Sequence, residues 1–167
     1  MVSAEELLAQ LARDGATLAV AESLTGGLLA DAFVQVPGAS AVFRGGIVAY
    51  ATDLKHTLLE VAKPLLDQAG PVDSRVAHQM AAGVARQCQT SLGLAVTGVA
   101  GPTAQAGQPV GTVFVAVAGR WQGVNVAEVG RHQLSGDRAA IRAQAVRAAL
   151  ELLGEVVGRS SGMVAER

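Results

Sequence analysis

The sequence has a single cysteine, Cys88, so no disulfide can form within the chain. Cys88 falls inside a predicted helix, where it reads as a small buried side chain rather than a nucleophile. His56, His78 and His132 are the only histidines, and their spacing gathers no metal ligands with each other or with Cys88. Aromatics make up 3% of the residues, too few for a base-stacking platform or a membrane-interface belt. No apolar run reaches the roughly 20 residues that a spanning helix needs. The opening "MVSAEELLAQ" carries acids where a secretory signal carries bases, so a cytoplasmic protein is expected. Charge of one sign is also missing: 13 Lys and Arg face 14 Asp and Glu, and the cations form no stripe. Neither nucleic acid nor a membrane is therefore an expected partner.

What the chain does have is apolar material, half of its 167 residues, enough for one domain over 1–158 with 159–167 expected as a flexible tail. Ser3 and Glu6 make an S-x-x-E capping box ahead of Leu7, Leu8 and Leu11, and Asp14-Gly15 stops that helix. "TLAVAES" reads as a strand, and "GGLLADAFVQV" as a helix broken at Pro37-Gly38. "FRGGIVAYA" is a strand whose glycines, Gly46 among them, admit close approach; Asp53 is expected to cap the short helix that carries Lys55, Leu58 and Leu59. A long helix spans Asp73 to Thr90 with Val76, Met80, Val84 and Cys88 on one face, and "LGLAVTG" is the next strand. Two long strands then pair as a hairpin turning near Gly119-Arg120, and a last helix runs from Ser135 to about Val157. Strands alternating with helices, plus a hairpin, predict a three-layer α/β/α sandwich with a mixed, mostly parallel sheet.

Ligands of such sheets sit beyond the carboxyl ends of strands, and Ser23, Tyr50 and Thr97 all fall near predicted strand ends. Ser23 can be an ordinary helix N-cap. Alternatively, Thr25 caps the helix and leaves Ser23 free, while the Gly26-Gly27 amides face an anion. A reactive serine needs a base, and Lys55 becomes one only if desolvation lowers its pKa; otherwise it is a solvated helix lysine. The Tyr50 hydroxyl could bond either partner or point into water. Arg138, in the first turn of a helix, opposes the helix dipole, which an anionic ligand would reward; a solvent-exposed pair with Asp137 is the alternative. Thr97 and the Gly98–Gly101 turn could cradle a phosphate or a ribose.

Six stretches in order, "AESLTGG", "PGASAVFRGGIVAYATDLKHTLLEV", "DSRVAHQMAAGV", "VTGVAGP", "PVGTVFVAV" and "SGDR", resemble the C-terminal domain of the competence/damage-inducible CinA proteins from about Leu7 to Leu153. That resemblance implies an amidohydrolase converting nicotinamide mononucleotide (NMN) to nicotinate mononucleotide and ammonia, in pyridine nucleotide salvage. It also implies a Ser–Lys mechanism with no metal and no cofactor. Matching positions make Ser23 the nucleophile and Lys55 the base, with Tyr50 beside them as a third catalytic residue. Ser40 would lie beside them, and Thr97 and Arg138 would belong to the substrate pocket with Thr25, Gly26, Gly27, Gly46, Gly98 and Gly101. The apolar composition and the resemblance together point to a homodimer. The resemblance says nothing of the activities of the family's N-terminal domain. One departure stands out: after "GVAGP" the family's Gly-Gly pair and lysine are replaced by "TAQAGQ". The competing expectation is a non-catalytic nucleotide-binding or protein-interaction module tied to competence or DNA damage.

Overall fold

The computed structural model describes residues 1–159. Its elements are α1 (Ala4–Arg13), β1 (Leu18–Glu22), α2 (Leu28–Val34), β2 (Phe43–Val48), α3 (Thr52–Leu59), α4 (Lys63–Ala69), α5 (Ser74–Cys88), β3 (Leu92–Gly98), β4 (Thr112–Trp121), β5 (Val124–Gln133) and α6 (Arg138–Arg159). The capping box is present in full: Ser3 Oγ accepts from the Glu6 N–H and the Glu6 carboxylate accepts from the Ser3 N–H at 2.8 Å. The strands form one sheet in the order β2-β1-β3-β4-β5. β1 pairs in parallel with β2 and β3, while β4 is antiparallel to both of its neighbours. Four strands thus run one way and β4 runs against them, the mixed and mostly parallel sheet expected.

Strand alternation sorts the side chains into two cores. On one face Leu18, Val20, Leu94, Val96 and Val115 pack against α1, α2 and α6. On the other, Ala19, Ala21, Ala95 and Ala116 meet the larger side chains of α3, α4 and α5, including Leu59, Leu66 and Met80. Small strand residues on that face let α5 lie close to the sheet, and at Gly83 α5 is so close to α3 that a methyl group would overlap the Leu59 carbonyl. Helix α3 is thereby held directly against α5.

Several boundaries differ from expectation. The β4–β5 turn is at Gln122-Gly123 instead of Gly119-Arg120: both residues have positive φ, 47° and 82°, as a two-residue hairpin turn matched to strand twist requires. Gly119 instead lies within β4, where its missing side chain leaves room for the Ser91 carbonyl. Asp53 does not cap α3; Ala51 holds the N-cap position without a side-chain bond, and Asp53 sits in the first turn, where the helix dipole favours a carboxylate. α6 starts at Arg138 rather than Ser135, because the Asp137 carboxylate accepts from the Ala140 N–H at 2.8 Å and fixes the start there. Helix α4 has no counterpart among the expected elements; its proline sits in the first turn, where a missing N–H costs the helix nothing. Cys88 closes α5 half-buried instead of lying mid-helix. Arg159 still belongs to α6, and the remainder of the expected tail, 160–167, lies outside the described residues.

Candidate active site

β1 ends at Glu22, and the chain turns sharply through Ser23–Gly27 into α2. β2 ends at Val48 on the same side, so Ala49, Tyr50 and α3 stand beside that turn. Lys55 lies on the core-facing stripe of α3, four residues before Leu59, and its side chain is completely buried. A lysine there extends its stem through the second core and delivers its amine to the strand ends. Lys55 Nζ stands 3.0 Å from Ser23 Oγ and 2.6 Å from the Ala49 carbonyl, with the Tyr50 carbonyl at 3.4 Å. Burial, which penalises the ammonium, lowers the Lys55 pKa to about 8. A neutral amine has two N–H bonds and one lone pair, so with its protons on the backbone carbonyls its lone pair is left for the serine hydroxyl.

The pair opens into a cavity of about 300 Å³ bounded by Leu24, Tyr50, Val72, Thr97, Gly98, Gly101 and Arg138. Thr97 is buried and its hydroxyl donates to the Pro71 carbonyl at 2.8 Å, tying the end of β3 to the loop before α5. Arg138, exposed at the mouth, donates to the Gly101 carbonyl at 2.6 Å and to the Tyr50 hydroxyl at 2.9 Å. It makes no ion pair with Asp137 among the described residues. Tyr50, 60% exposed, meets the amine through its carbonyl, whereas its phenol bonds Arg138 and neither Ser23 nor Lys55.

Expectations about this turn and about two residues elsewhere are corrected. Thr25 does not cap α2: its hydroxyl is buried without a partner, and Gly27 holds the N-cap position. The cap is Glu22, whose buried carboxylate accepts from the N–H groups of Gly27 (3.2 Å), Leu29 (2.8 Å) and Ala30 (3.1 Å). A carboxylate accepts more donors than a hydroxyl can and matches the positive end of the helix, which is why it displaces Thr25. Gly26 and Gly27 therefore offer no amides to a ligand, since Gly26 N–H is also taken, by the Ser23 carbonyl at 3.1 Å. Ser40, exposed in a short turn (Ala39–Ala41) before β2, enters the sheet at the end opposite Ala49, and Gly46 faces Val20 and Ala30 under α2; neither borders the cavity.

Sequence reasoning also passed over Glu22 and Arg142. The signal for Glu22 was a carboxylate one residue before the turn; for Arg142, a second arginine four residues after Arg138 on the same helical face. Among the described residues, no group of three His, Cys, Asp or Glu side chains could hold a metal ion, and no helix is long and apolar enough to cross a membrane.

Fold and site together define the class: a three-layer α/β domain with a serine–lysine pair in a cavity at the carboxyl edge of its sheet. The chain belongs to the CinA C-terminal domain family, whose model matches residues 2–157. It is similar to a CinA-like protein of Frankia casuarinae, 51% identical over 147 residues that make up 88% of this chain and 33% of that one. A CinA-like protein of an Anaeromyxobacter species is 46% identical over 148 residues, 88% and 35% of the two chains. The chain thus spans about a third of the length of these curated relatives. Among solved structures, a CinA superfamily protein from Klebsiella pneumoniae matches with a TM-score of 0.85 and 31% identity, covering 95% of this chain and 99% of that one. The competence/damage inducible protein CihA from Agrobacterium tumefaciens matches at 0.83 and 34%, covering 95% and 97%.

Proposed function

We propose that this domain is an amidohydrolase that converts NMN to nicotinate mononucleotide and ammonia through a Ser23–Lys55 pair. The observation that carries the reading is a fully buried lysine amine 3.0 Å from a strand-end serine hydroxyl, with its pKa lowered into the range of a working base. Lys55 accepts the hydroxyl proton as Ser23 Oγ bonds to the carboxamide carbon. The C–N bond then breaks as Lys55 returns that proton to the departing nitrogen, releasing ammonia and leaving an ester on Ser23. Water attacks this ester, Lys55 takes the water's proton, and the C–O bond to Ser23 breaks as the proton goes back to Oγ. A carboxylate product leaves and the enzyme is restored. A pyridinium ring draws electrons from its carboxamide and makes it a better electrophile, and a substrate phosphate suits the exposed Arg138 at the cavity mouth.

The test is ammonia release from NMN by the purified protein beside Ser23→Ala and Lys55→Ala. Turnover by the wild type alone is the expected result. Equal turnover by Ser23→Ala removes the nucleophile, and wild-type inactivity on NMN and other pyridine carboxamides turns the reading toward a binding module.

A further inference from the structure

The Ser23–Gly27 turn is gripped from two sides by charged groups that do not touch the cavity. Glu22 takes the amides of Gly27, Leu29 and Ala30. From α6, the half-buried Arg142 takes two carbonyls: its Nε donates to the Leu24 oxygen at 2.9 Å and its Nη2 to the Thr25 oxygen at 3.0 Å. Between these grips, the N–H groups of Leu24 and Thr25 have no acceptor among the described residues, although both residues are at least 96% buried. Buried amides without acceptors are rare in folded proteins and here directly follow the nucleophile.

A peptide unit is planar with its C=O and N–H opposed. Drawing the Leu24 oxygen toward Arg142 therefore turns the Thr25 N–H away from Arg142, and the Ser23 oxygen, held by Gly26 N–H, sets the Leu24 N–H in the same manner. We infer that Arg142 is a positioning residue: its hold on the Leu24 and Thr25 carbonyls orients the Thr25 amide directly, and the Leu24 amide through the Gly26–Ser23 bond, as the donors for the oxyanion formed when Ser23 attacks. A guanidinium on the Leu24 carbonyl also polarises that peptide and strengthens the Thr25 N–H as a donor. The inference rests on the proposed amidohydrolase reading and relocates its oxyanion donors from the Gly26-Gly27 amides, which are occupied.

The test compares wild type with Arg142→Met and Arg142→Lys by two readouts, each protein first checked for a cooperative unfolding transition. The first is NMN hydrolysis. The second is labelling by an alkyl fluorophosphonate, in which the Ser23 Oγ–P bond forms, the P–F bond breaks, fluoride leaves and the hydroxyl proton goes to Lys55. Its developing P–O charge calls on the same donors without needing a pyridine substrate. For Arg142→Met, kcat and the labelling rate should each fall by about tenfold to a hundredfold with KM nearly unchanged, because oriented donors act on the transition state. Arg142→Lys, which reaches one carbonyl, should recover part of the loss. The pH midpoint of kcat/KM should stay put, since Lys55 is untouched. Unchanged labelling and turnover in a folded Arg142→Met overturns the assignment, as does a moved midpoint, which would mean that the whole turn has shifted. Labelling of wild-type Ser23 without NMN turnover refutes the substrate assignment alone, and the labelling rates then judge Arg142. Absence of both in the wild type refutes both.

Discussion

Replacing Lys55 by methionine keeps the length of the stem and deletes only the amine, which isolates the electrostatic cost of burying it. The pKa falls from 10.5 to about 8 through desolvation. The unfolded chain therefore binds the proton more tightly, and wild-type stability rises with pH between those two values and is flat below them. At 1.36 kcal/mol per unit, the buried ammonium costs the wild type about 3 kcal/mol at pH 7 and about 1 kcal/mol at pH 10. Methionine removes that cost but orphans the Ala49 carbonyl, which Lys55 holds at 2.6 Å, a loss of about 1–3 kcal/mol at either pH. The offset cancels when the two pH values are compared. Urea unfolding of both proteins should therefore show the methionine variant losing about 2–3 kcal/mol of its standing relative to wild type between pH 7 and pH 10. The variant should be inactive throughout, while wild-type kcat/KM climbs through a midpoint near 8 and levels above it. A stability gap that is the same at both pH values would refute the idea of a desolvated amine.

Glu22→Gln replaces an acceptor of three amides by a group with one oxygen and a clashing NH2, and should cost about 2–3 kcal/mol, a fall of roughly 5–10 °C in Tm by calorimetry. Arg138→Gln should raise KM for the phosphorylated substrate by about 10- to 100-fold, with a smaller effect on the unphosphorylated riboside, in steady-state kinetics. Gly83→Ala forces α5 away from the Leu59 carbonyl at the end of α3, so thermal unfolding should report about 1–3 kcal/mol of destabilisation and assays a lower kcat, because α3 carries Lys55.

How far the site could be read from sequence depended on whether each residue's role is local. The strand-turn-helix at Ser23 and the strands flanking it follow from short-range hydrophobic patterns and glycines, and these were legible. So was the S-x-x-E box, whose two partners are three residues apart. The hairpin turn was misplaced by three residues because Gly119 and Gly123 look alike in sequence and both have positive φ, although Gly119 lies within β4 and leaves room for the Ser91 carbonyl while Gly123 makes the two-residue turn. The decisive groups of the turn are set by partners that no local pattern reveals. Glu22 sits in a fully buried strand, and only the arrangement of α2 over its end makes a carboxylate the better cap than the nearer Thr25. Arg142 reaches the turn across 117 and 118 positions of chain.

The same distinction explains the chemistry. Lys55 is the fourth residue of an eight-residue helix, and in sequence it is indistinguishable from a lysine in water. Its basicity is a property of the second core: the small residues of β1 and β3 admit α5, α5 meets the end of α3 at Gly83, and α3 then has no water to offer its inward-facing side chains. Tyr50 and Arg138 are the reverse case. Both were read as parts of the site, yet what joins them is a bond to each other and to Gly101 at the rim, while the amine below is held by backbone carbonyls. On the proposed reading, chemistry at the floor and recognition at the mouth therefore rest on different side-chain contacts, linked through Tyr50, whose carbonyl faces the amine and whose hydroxyl faces Arg138. Substitutions at Arg138 should act on KM and those at Lys55 on kcat, and a variant of either residue that moved both parameters together would contradict that separation.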